Sequence, residues 1–319
     1  PFHLKCMPTA VLVTSLVLRL TLAAAHARGL RTSFPRVSMN GSHGGVVAGT
    51  AELQRLIDSI GSDAPPRVEL TFSPSPPPAN AEANASDEMI GVLDSSFNPP
   101  TTAHLAMMRM AAQQFGFARV LLLLAKQNAD KPVIGASLAQ RLQMMHLIAA
   151  SDPRGATWCG ITAHPLFVDK AAALRSLFGE RARVFVLVGF DTWVRITDPK
   201  YYEAGALDKV LAQLFAAVDV VVTSREASNE EDAMSLQAQR EHVERVAPKC
   251  NGRLHFMSND PAMARLSSSL LRATMASGDL ERAREILPEC LHEFVISEGL
   301  YPSNAKSDDT SSVGHEVDP

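Results

Sequence analysis

The residues of this chain best suited to chemistry form a short motif after an apolar segment. Residues 94–104 read Asp-Ser-Ser-Phe-Asn-Pro-Pro-Thr-Thr-Ala-His and follow the apolar run Met89–Leu93. A strand that ends in a turn of small residues and leads into a helix presents backbone N–H groups to an anion, for which phosphate is the common ligand. His104 stands where the positive end of that helix is expected. The motif therefore predicts a phosphate-binding site.

A second motif lies far down the chain. Residues 266–272 read Leu-Ser-Ser-Ser-Leu-Leu-Arg, after a strand-like segment at 253–258 and at the start of a helical one. Hydroxyls at a helix N-terminus can cap the helix and also donate to phosphate oxygens. Arg272 follows Ser269 by three residues, so its guanidinium can reach the same anion. Alone, this pattern is an ordinary serine cap; combined with the first motif, it favours a shared phosphate site.

Three further segments hold weaker candidates. Lys126 and Lys131 lie on the loop after the second predicted strand, where they either contact a phosphate or are solvated surface charges. Asp191 follows an apolar strand, and a carboxylate there can accept from ribose hydroxyls or hold a hydrated Mg²⁺. Trp193 either stacks on a ligand ring or belongs to the core. Arg225 closes another strand and is either a ligand contact or a loop residue.

Strand-like and helix-like segments alternate along the chain, which predicts an α/β fold with a Rossmann-like, doubly wound parallel sheet and C-terminal helices. The predicted strands are 89–93, 119–125, 183–188, 219–223 and 253–258. The predicted helices are 102–115, 137–150, 171–178, 206–217, 233–246, 268–276 and 280–286. The candidate residues follow strands, where open parallel sheets bind ligands.

The expected domain organisation has four parts. Residues 1–45 form a disordered or targeting segment, and 46–88 a short amphipathic helix followed by a linker rich in Pro and Ala. The globular domain covers 89–301, and an acidic tail covers 302–319. Of the remaining polar residues, Arg141 is a weaker candidate for phosphate contact and reads better as a surface residue, and His146 and His164 read as structural.

The N-terminal segment leaves localisation open. The first 51 residues contain five Lys or Arg and no acid, which is typical of a mitochondrial transit peptide; a secretory signal and a start at Met39 are the competing interpretations. Arg19 interrupts the apolar stretch 9–25, so a membrane span is not expected. We expect a cytoplasmic or nuclear protein, or a mitochondrial one if residues 1–38 are a transit segment. The four widely spaced cysteines indicate neither a zinc site nor a disulfide framework.

Composition limits the partners. The net charge of −4 gives no basic excess for binding nucleic acid, although a mononucleotide site needs only a few local cations. We therefore predict small-molecule partners, with neither nucleic acid nor membrane, and a homo-oligomer stays open.

The two motifs resemble those of the nucleotidylyl transferase superfamily, also called cytidylyltransferase-like proteins. The family's first motif is Gly-Ser/Thr-Phe-Asp/Asn-Pro-x-His/Thr-x-x-His; residues 96–100 match it closely, and Thr101 and His104 take its last two named places. Ser95 stands where many members have Gly. Residues 266–272 resemble Ile-Ser-Ser-Thr-x-x-Arg, with Ser269 in place of Thr. The segments Gly-Phe-Asp-Thr at 189–192 and Asp-Pro-Lys-Tyr-Tyr at 198–202 resemble a fungal branch of nicotinamide-nucleotide adenylyltransferase-like proteins.

The resemblance implies a nicotinamide-nucleotide adenylyltransferase that takes AMP from ATP, uses nicotinamide or nicotinate mononucleotide as second substrate, and needs Mg²⁺ but no protein metal ligands. It implies catalytic roles for His104 and Arg272. The residues expected to bind ATP are Ser95, Ser96, Phe97, Thr101, His104, Ser267, Ser268, Ser269, Arg272 and Arg225. Those expected to bind the second substrate are Lys126, Lys131, Asp191 and Trp193.

Three alternatives stay open at this point. A cytidylyltransferase for an alcohol phosphate, or a pantetheine-phosphate adenylyltransferase, would share the first motif. A diverged protein that binds or hydrolyses ATP and acts through partners would retain the fold without the transfer. A dinucleotide-dependent oxidoreductase is disfavoured because no Gly-x-Gly-x-x-Gly follows any predicted strand.

Overall fold

Seven strands form one sheet in the computed structural model, which describes residues 48–62, 65–74, 87–126, 135–225 and 234–302. The strands are β1 (Glu69–Phe72), β2 (Met89–Asp94), β3 (Arg119–Ala125), β4 (Thr157–Thr162), β5 (Arg183–Gly189), β6 (Asp219–Thr223) and β7 (Leu254–Met257). Their order in the sheet is β1-β4-β3-β2-β5-β6-β7. Strands β2 to β7 are parallel, and β1 pairs antiparallel with β4 at one edge. The predicted α/β fold with a parallel sheet is confirmed.

Helices cover both faces of the sheet. They are α1 (Thr50–Ser59), α2 (Thr102–Phe115), α3 (Leu138–Ala150), α4 (Phe167–Phe178), α5 (Phe190–Ile196), α6 (Leu207–Ala217), α7 (Leu236–Val246), α8 (Pro261–Ala264), α9 (Ser268–Ala276), α10 (Leu280–Ile286) and α11 (His292–Ser297). Helices α1, α2, α3 and α9 to α11 bury apolar side chains in one core. Helices α4 to α7 do so in a second core on the opposite face. This is the doubly wound arrangement expected from the alternation of strands and helices.

The N-terminal part of the domain differs from the prediction. Strand β1 lies inside the stretch that we expected to be a linker, and Phe72 is buried in the same core as Leu53 and Ile57 of α1. The boundary expected at Met89 is therefore wrong for the described residues, because α1 and β1 belong to the packed unit. A four-residue strand between proline-rich segments gives little periodic signal, and pairing with β4 stabilises it.

Strand β4 is also not predicted from the sequence, although all six of its residues are buried. Its Thr-Trp-Cys-Gly-Ile-Thr sequence lacks the continuous apolar run of the other inner strands. Gly160 interrupts that pattern for a packing reason, since a Cβ on it would lie 2.9 Å from Cγ1 of Val68, just before β1. The glycine that weakens the strand pattern is thus needed for close packing against the segment before β1.

His146 is a buried, uncharged residue of α3. Its Nε2 lies 2.9 Å from the hydroxyl of Thr71 on β1, and burial lowers its pKa from 6.5 to about 4. The unfolded chain therefore binds a proton below pH 6.5 that the folded protein does not take up until about pH 4. Stability that is present above pH 6.5 is lost as the pH falls through this window.

This difference predicts acid lability. We expect His146 alone to lower the free energy of unfolding by about 3 kcal/mol between pH 7 and pH 4. Urea unfolding at pH 7.5, 6, 5 and 4.5 measures how the free energy of unfolding changes with pH. His146→Gln keeps a donor for Thr71 without a titrating ring. The pH dependence of its unfolding free energy should therefore correspond to up to one fewer proton taken up on unfolding. Equal slopes in both proteins would contradict the prediction.

No helix within the described ranges is long and apolar enough to cross a membrane. The predicted segment 1–45 and the tail from residue 303 lie outside the described residues, so their interpretation stays a prediction.

Candidate functional site

A cavity of about 440 Å³ opens at the carboxyl ends of the parallel strands. Both sequence motifs lie on it, one at the N-terminus of α2 and the other at the N-terminus of α9. Strand order reverses at this place, because β2 pairs with β3 on one side and with β5 on the other. Ligands of open α/β sheets bind at such a switch point.

His104 is held in one orientation at the start of α2. The Thr101 N–H donates to Nδ1 over 3.0 Å, so Nδ1 is an acceptor and the proton of the neutral ring lies on Nε2. The Thr101 hydroxyl lies 2.8 Å from the same Nδ1, and Nε2 lies 3.1 Å from the hydroxyl of Ser95. Burial, and secondarily the charge of Arg225, lower the pKa of His104 to about 4. At neutral pH the residue is therefore a fixed N–H donor without charge.

The turn between β2 and α2 is fastened from several sides. The Asn98 carbonyl accepts from Arg272 over 2.6 Å, and the Pro99 carbonyl accepts from the Ser268 hydroxyl over 2.8 Å. Both donors belong to α9, so the second motif fixes the first. The Asn98 side-chain oxygen also accepts from the Ala136 N–H and the Tyr301 hydroxyl, at 3.2 and 2.7 Å.

Gly135 lies directly against this turn. Its φ is +93°, and a Cβ there would lie 2.7 Å from the Asn98 side-chain oxygen. A larger residue would thus be strained and would displace the amide that holds the turn.

Four arginines make part of the cavity wall positive. They are Arg141, Arg195, Arg225 and Arg272. Arg141 is 3% exposed and donates through Nε to the Ala136 carbonyl over 2.8 Å. In the described part of the chain, neither Arg141 nor Arg272 has a carboxylate within 4.0 Å, whereas Arg225 lies 3.9 Å from Asp191. Guanidinium groups without acidic partners, one buried and one partly exposed, lie here next to two helix N-termini and suit a polyphosphate.

A buried ion pair lies on the opposite side of the cavity. The ammonium of Lys170 on α4 donates to the Asp94 carboxylate at the end of β2 over 2.5 Å, and both side chains are 7% exposed. The ammonium also lies 4.5 Å from the ring centre of Phe167. All three residues line the cavity.

A small cleft adjoins the cavity where β6 ends, and two side chains fix its backbone. The Gln239 amide donates to the Arg225 carbonyl over 2.6 Å and accepts from the Arg225 N–H over 3.1 Å. The Asn259 amide donates to the Ser224 carbonyl over 2.6 Å. The cleft is lined by Ala103, Met107, Gly189, Thr223, Ser224, Arg225, Asn259, Met263, Ala264 and Leu266. Its mixture of apolar side chains and fixed backbone groups suits a flat heterocycle.

Comparison with known proteins agrees with this geometry. A family model described as cytidylyltransferase-like matches residues 92–274. The chain belongs to this family. The cytidylyltransferase-like match covers both motifs and the strands that carry the cavity, so the family predicted from the motifs is confirmed.

Several relatives of the chain are named as nucleotide adenylyltransferases. The chain is 35% identical over 213 residues to a Schizosaccharomyces pombe protein named "Putative nicotinamide mononucleotide adenylyltransferase", covering 64% of this chain and 82% of that protein. It is 27% identical over 222 residues to a Chlorobium luteolum protein named "Probable nicotinate-nucleotide adenylyltransferase", covering 66% and 97%. Nicotinic acid mononucleotide adenylyltransferase of Plasmodium falciparum, solved with NaAD, superposes with a TM-score of 0.52 at 13% identity, covering 67% and 97%. At that identity the likeness shows the fold alone.

Most of the expected ATP-binding residues come together at the cavity. Those that line it are Ser95, Ser96, Thr101, His104, Arg225, Ser267, Ser268, Ser269 and Arg272. Within this set the serines at the N-terminus of α9 make different contacts. Ser267 caps the helix by accepting from the Leu270 N–H, and Ser269 accepts from Arg272. Asp191 also lines the cavity and stays a predicted contact of the second substrate.

Two aromatic side chains are corrected by the structure. Phe97 is 1% exposed, and its ring packs in the core 5.5 Å from the His104 ring, so only its backbone can meet a ligand. Trp193 is fully buried in the core behind α5 and packs against Phe215. It lies outside the cavity lining and cannot stack on a substrate ring. The fold places it on the inner face of a helix that the sequence analysis did not predict.

Lys126 also differs from its predicted role. It borders the cavity, but its ammonium donates to the carbonyl oxygens of Ile57 and Ile60, both at 2.8 Å. These carbonyls close the C-terminal turn of α1, where a cation is favoured. The structure thus assigns Lys126 to capping α1 rather than to a substrate. Lys131 lies outside the described residues.

Several residues of the site differ from what the sequence predicts. Arg141 was expected on the surface, yet it is buried at the cavity wall. The Asp94–Lys170 pair joins residues 76 positions apart, and Gln239 reaches Arg225 from 14 positions away. For these pairs the sequence carries no local signal, because only the crossover helices bring the partners together.

Proposed function

We propose that the protein transfers the adenylyl group of ATP to the 5′-phosphate of nicotinamide or nicotinate mononucleotide. A phosphate oxygen of the mononucleotide forms a bond to the α-phosphorus of ATP, the bond from that phosphorus to the bridging oxygen breaks, and pyrophosphate leaves. The observation that carries the proposal is the fixed Nε2–H of His104 in a cavity lined by Arg141 and Arg272, which have no carboxylate within 4.0 Å among the described residues. The names of the relatives support the choice of substrates.

The chemistry needs no protein nucleophile. Transfer between two bound partners is accelerated by positioning and by stabilising negative charge as it moves to the leaving group. We assign His104 to donate to the α- or β-phosphate through Nε2 in place of its present contact with Ser95. Thr101 is a positioning residue, since it is buried and acts on Nδ1 of His104.

The triphosphate and the base of ATP are assigned to different walls. Arg141 and Arg272, with the N-terminus of α9, are placed to hold the β- and γ-phosphates. The adenine is assigned to the small cleft at the end of β6, where the backbone groups of Ser224 are fixed by Asn259. The remaining cavity, toward α4 and α5, then receives the mononucleotide.

Mg²⁺ is expected as a component of the nucleotide substrate. Within the described residues no group of three or more His, Cys, Asp or Glu side chains could hold a metal ion. A cation bound mainly by phosphate oxygens and water fits these residues, with Asp191 as the nearby carboxylate, because Asp94, the other carboxylate on the cavity lining, is paired with Lys170. Such a cation neutralises phosphate charge.

A coupled assay tests the proposal. The full chain is mixed with ATP, Mg²⁺ and nicotinamide mononucleotide, and NAD is measured by its reduction with ethanol and alcohol dehydrogenase. For nicotinate mononucleotide, release of pyrophosphate is measured. CTP in place of ATP is the control for a cytidylyltransferase. ATP hydrolysis without a dinucleotide product would contradict the proposal and favour a diverged ATP-binding protein.

Arg272 provides a more local prediction. Arg272→Ala removes a cation from the phosphate wall and frees the turn at Asn98. We expect kcat/KM for ATP to fall by a factor on the order of 10 to 100, the value of one or two charge-assisted hydrogen bonds. Arg272→Lys keeps the charge but loses the planar fork, so it should recover only part of the loss.

Initial rates at varied ATP measure the effect. The matched control is Arg282→Ala, which removes an exposed arginine from the neighbouring helix α10. If Arg272→Ala and Arg282→Ala behave alike, Arg272 does not bind the nucleotide.

A further inference from the structure

We infer that the buried Asp94–Lys170 pair selects the nicotinamide form of the mononucleotide, whose carboxamide is uncharged, over the nicotinate form, whose carboxylate is charged. The inference rests on the proposed function and adds the substrate preference of the same cavity. Asp94 and Lys170 are specificity-determining residues in this account, because they contact the part of the substrate in which the two forms differ.

The position of the pair follows from the division of the cavity. The arginine wall and the helix N-termini lie with the two motifs, and the small cleft lies toward β6 and β7. Lys170 and Phe167 belong to α4, on the other face of the sheet, and Asp94 ends the central strand β2. We therefore assign the nicotinamide or nicotinate ring of the second substrate to this side of the cavity. Phe167, three residues before Lys170, adds an aromatic ring to the same wall.

The charges of the pair decide which substrate it suits. Lys170 offers N–H donors and Asp94 offers carboxylate acceptors, and the two together carry no net charge. A carboxamide matches both, since its oxygen accepts from the ammonium and its NH₂ donates to the carboxylate. Both forms share the pyridinium ring and differ in its substituent, and a nicotinate carboxylate beside Asp94 would place two carboxylates together and would offer Asp94 no N–H donor. Specificity arises here from repulsion of the wrong form as well as attraction of the right one.

Phosphate is a poor ligand for this pair. A phosphate dianion near Lys170 would also lie near Asp94, which is 2.5 Å from the same ammonium. The cavity already offers Arg141 and Arg272, which have no carboxylate within 4.0 Å among the described residues. Phosphate groups are therefore held at the arginine wall, and the neutral pair is left for a neutral polar group.

Opposite charge changes test the inference. The ratio of kcat/KM for nicotinamide mononucleotide to that for nicotinate mononucleotide is measured with saturating ATP. Wild type should give a ratio of at least about ten. Asp94→Asn leaves the cation alone and should lower the ratio at least tenfold, whereas Lys170→Gln leaves the anion alone and should raise it at least threefold. The double variant restores a pair without net charge and should return the ratio toward wild type.

A purely structural role would not move the ratio in opposite directions. Equal losses with both substrates, or a wild-type preference for nicotinate, would overturn the inference. If one single variant does not fold, the other two proteins still give the sign of the change. Lys249→Gln, which removes a lysine from an exposed ion pair with Asp208, is the control and should leave the ratio unchanged.

Failure of the proposed transfer reaction can be distinguished from failure of the proposed substrate preference. If wild type makes no dinucleotide from either substrate, calorimetric titration with each mononucleotide still measures the preference and its change in the variants. Tighter binding of the nicotinamide form, reversed in Asp94→Asn, then supports the pair as the selector even though the transfer reaction has failed.

Discussion

We expect His104→Ala to lower kcat by a factor on the order of 10² to 10³, while KM for ATP changes much less. This is the usual cost of removing one preorganised donor from a site where negative charge develops. The donor is preorganised here because the Thr101 N–H fixes Nδ1 and leaves the proton on Nε2. Steady-state kinetics with ATP and nicotinamide mononucleotide measure the change. A His104→Ala enzyme within fivefold of wild type would exclude this role.

Two comparisons separate a donor from a general acid. His104→Asn keeps a neutral N–H donor in the same turn and should recover at least a tenfold part of the loss, which an acid could not. The pH profile of kcat should also lack an ionisation near 6.5, because burial keeps the pKa of His104 at about 4. His242→Ala on α7, away from the cavity, is the control for removing a histidine.

The sequence predicts the site best where a motif is continuous. The turn at 94–101 and the serines before Arg272 each consist of consecutive residues whose types are needed for one local geometry, a strand end leading into a helix N-terminus. Their roles could be argued from residue chemistry before any contact was known. The hydrogen bond from the Arg272 guanidinium to the Asn98 carbonyl could not be predicted in this way, because the two residues are 174 positions apart.

Failures of prediction occurred where packing overrides local pattern. Trp193 follows Gly189 and Asp191 closely enough to look like part of the site, but α5 turns its side chain into the core. Arg141 shows the reverse error, because a lone arginine in a helical stretch resembles a solvated surface residue. Its burial depends on the cavity wall that α3 forms with the turn, which a linear pattern does not contain.

A large effect of a single substitution on stability is expected at the other end of the sheet. Asp219 begins β6 and is fully buried; its carboxylate accepts from Nη2 of Arg183 over 2.7 Å and lies 2.9 Å from Nε2 of His255. Burial raises the pKa of Asp219, but the hydrogen bonds from His255 and Arg183 outweigh it and hold the pKa below its usual value. The carboxylate thus contributes stability above about pH 4 that is lost as the pH falls through its folded pKa.

Asp219→Ala should lower the free energy of unfolding at pH 7 by about 3 kcal/mol, because it leaves Arg183 and His255 without their shared acceptor. Asp208→Ala breaks an exposed pair with Lys249 and should cost under about 1 kcal/mol. Urea unfolding of the two variants measures the contrast. Because Asp219 lies at the amino ends of the strands and His104 at the carboxyl ends, kcat of folded Asp219→Ala should stay within twofold of wild type. A large loss of kcat in a variant that remains folded would mean that the two ends of the sheet are coupled, and the effect of His104→Ala could then no longer be read as a local one.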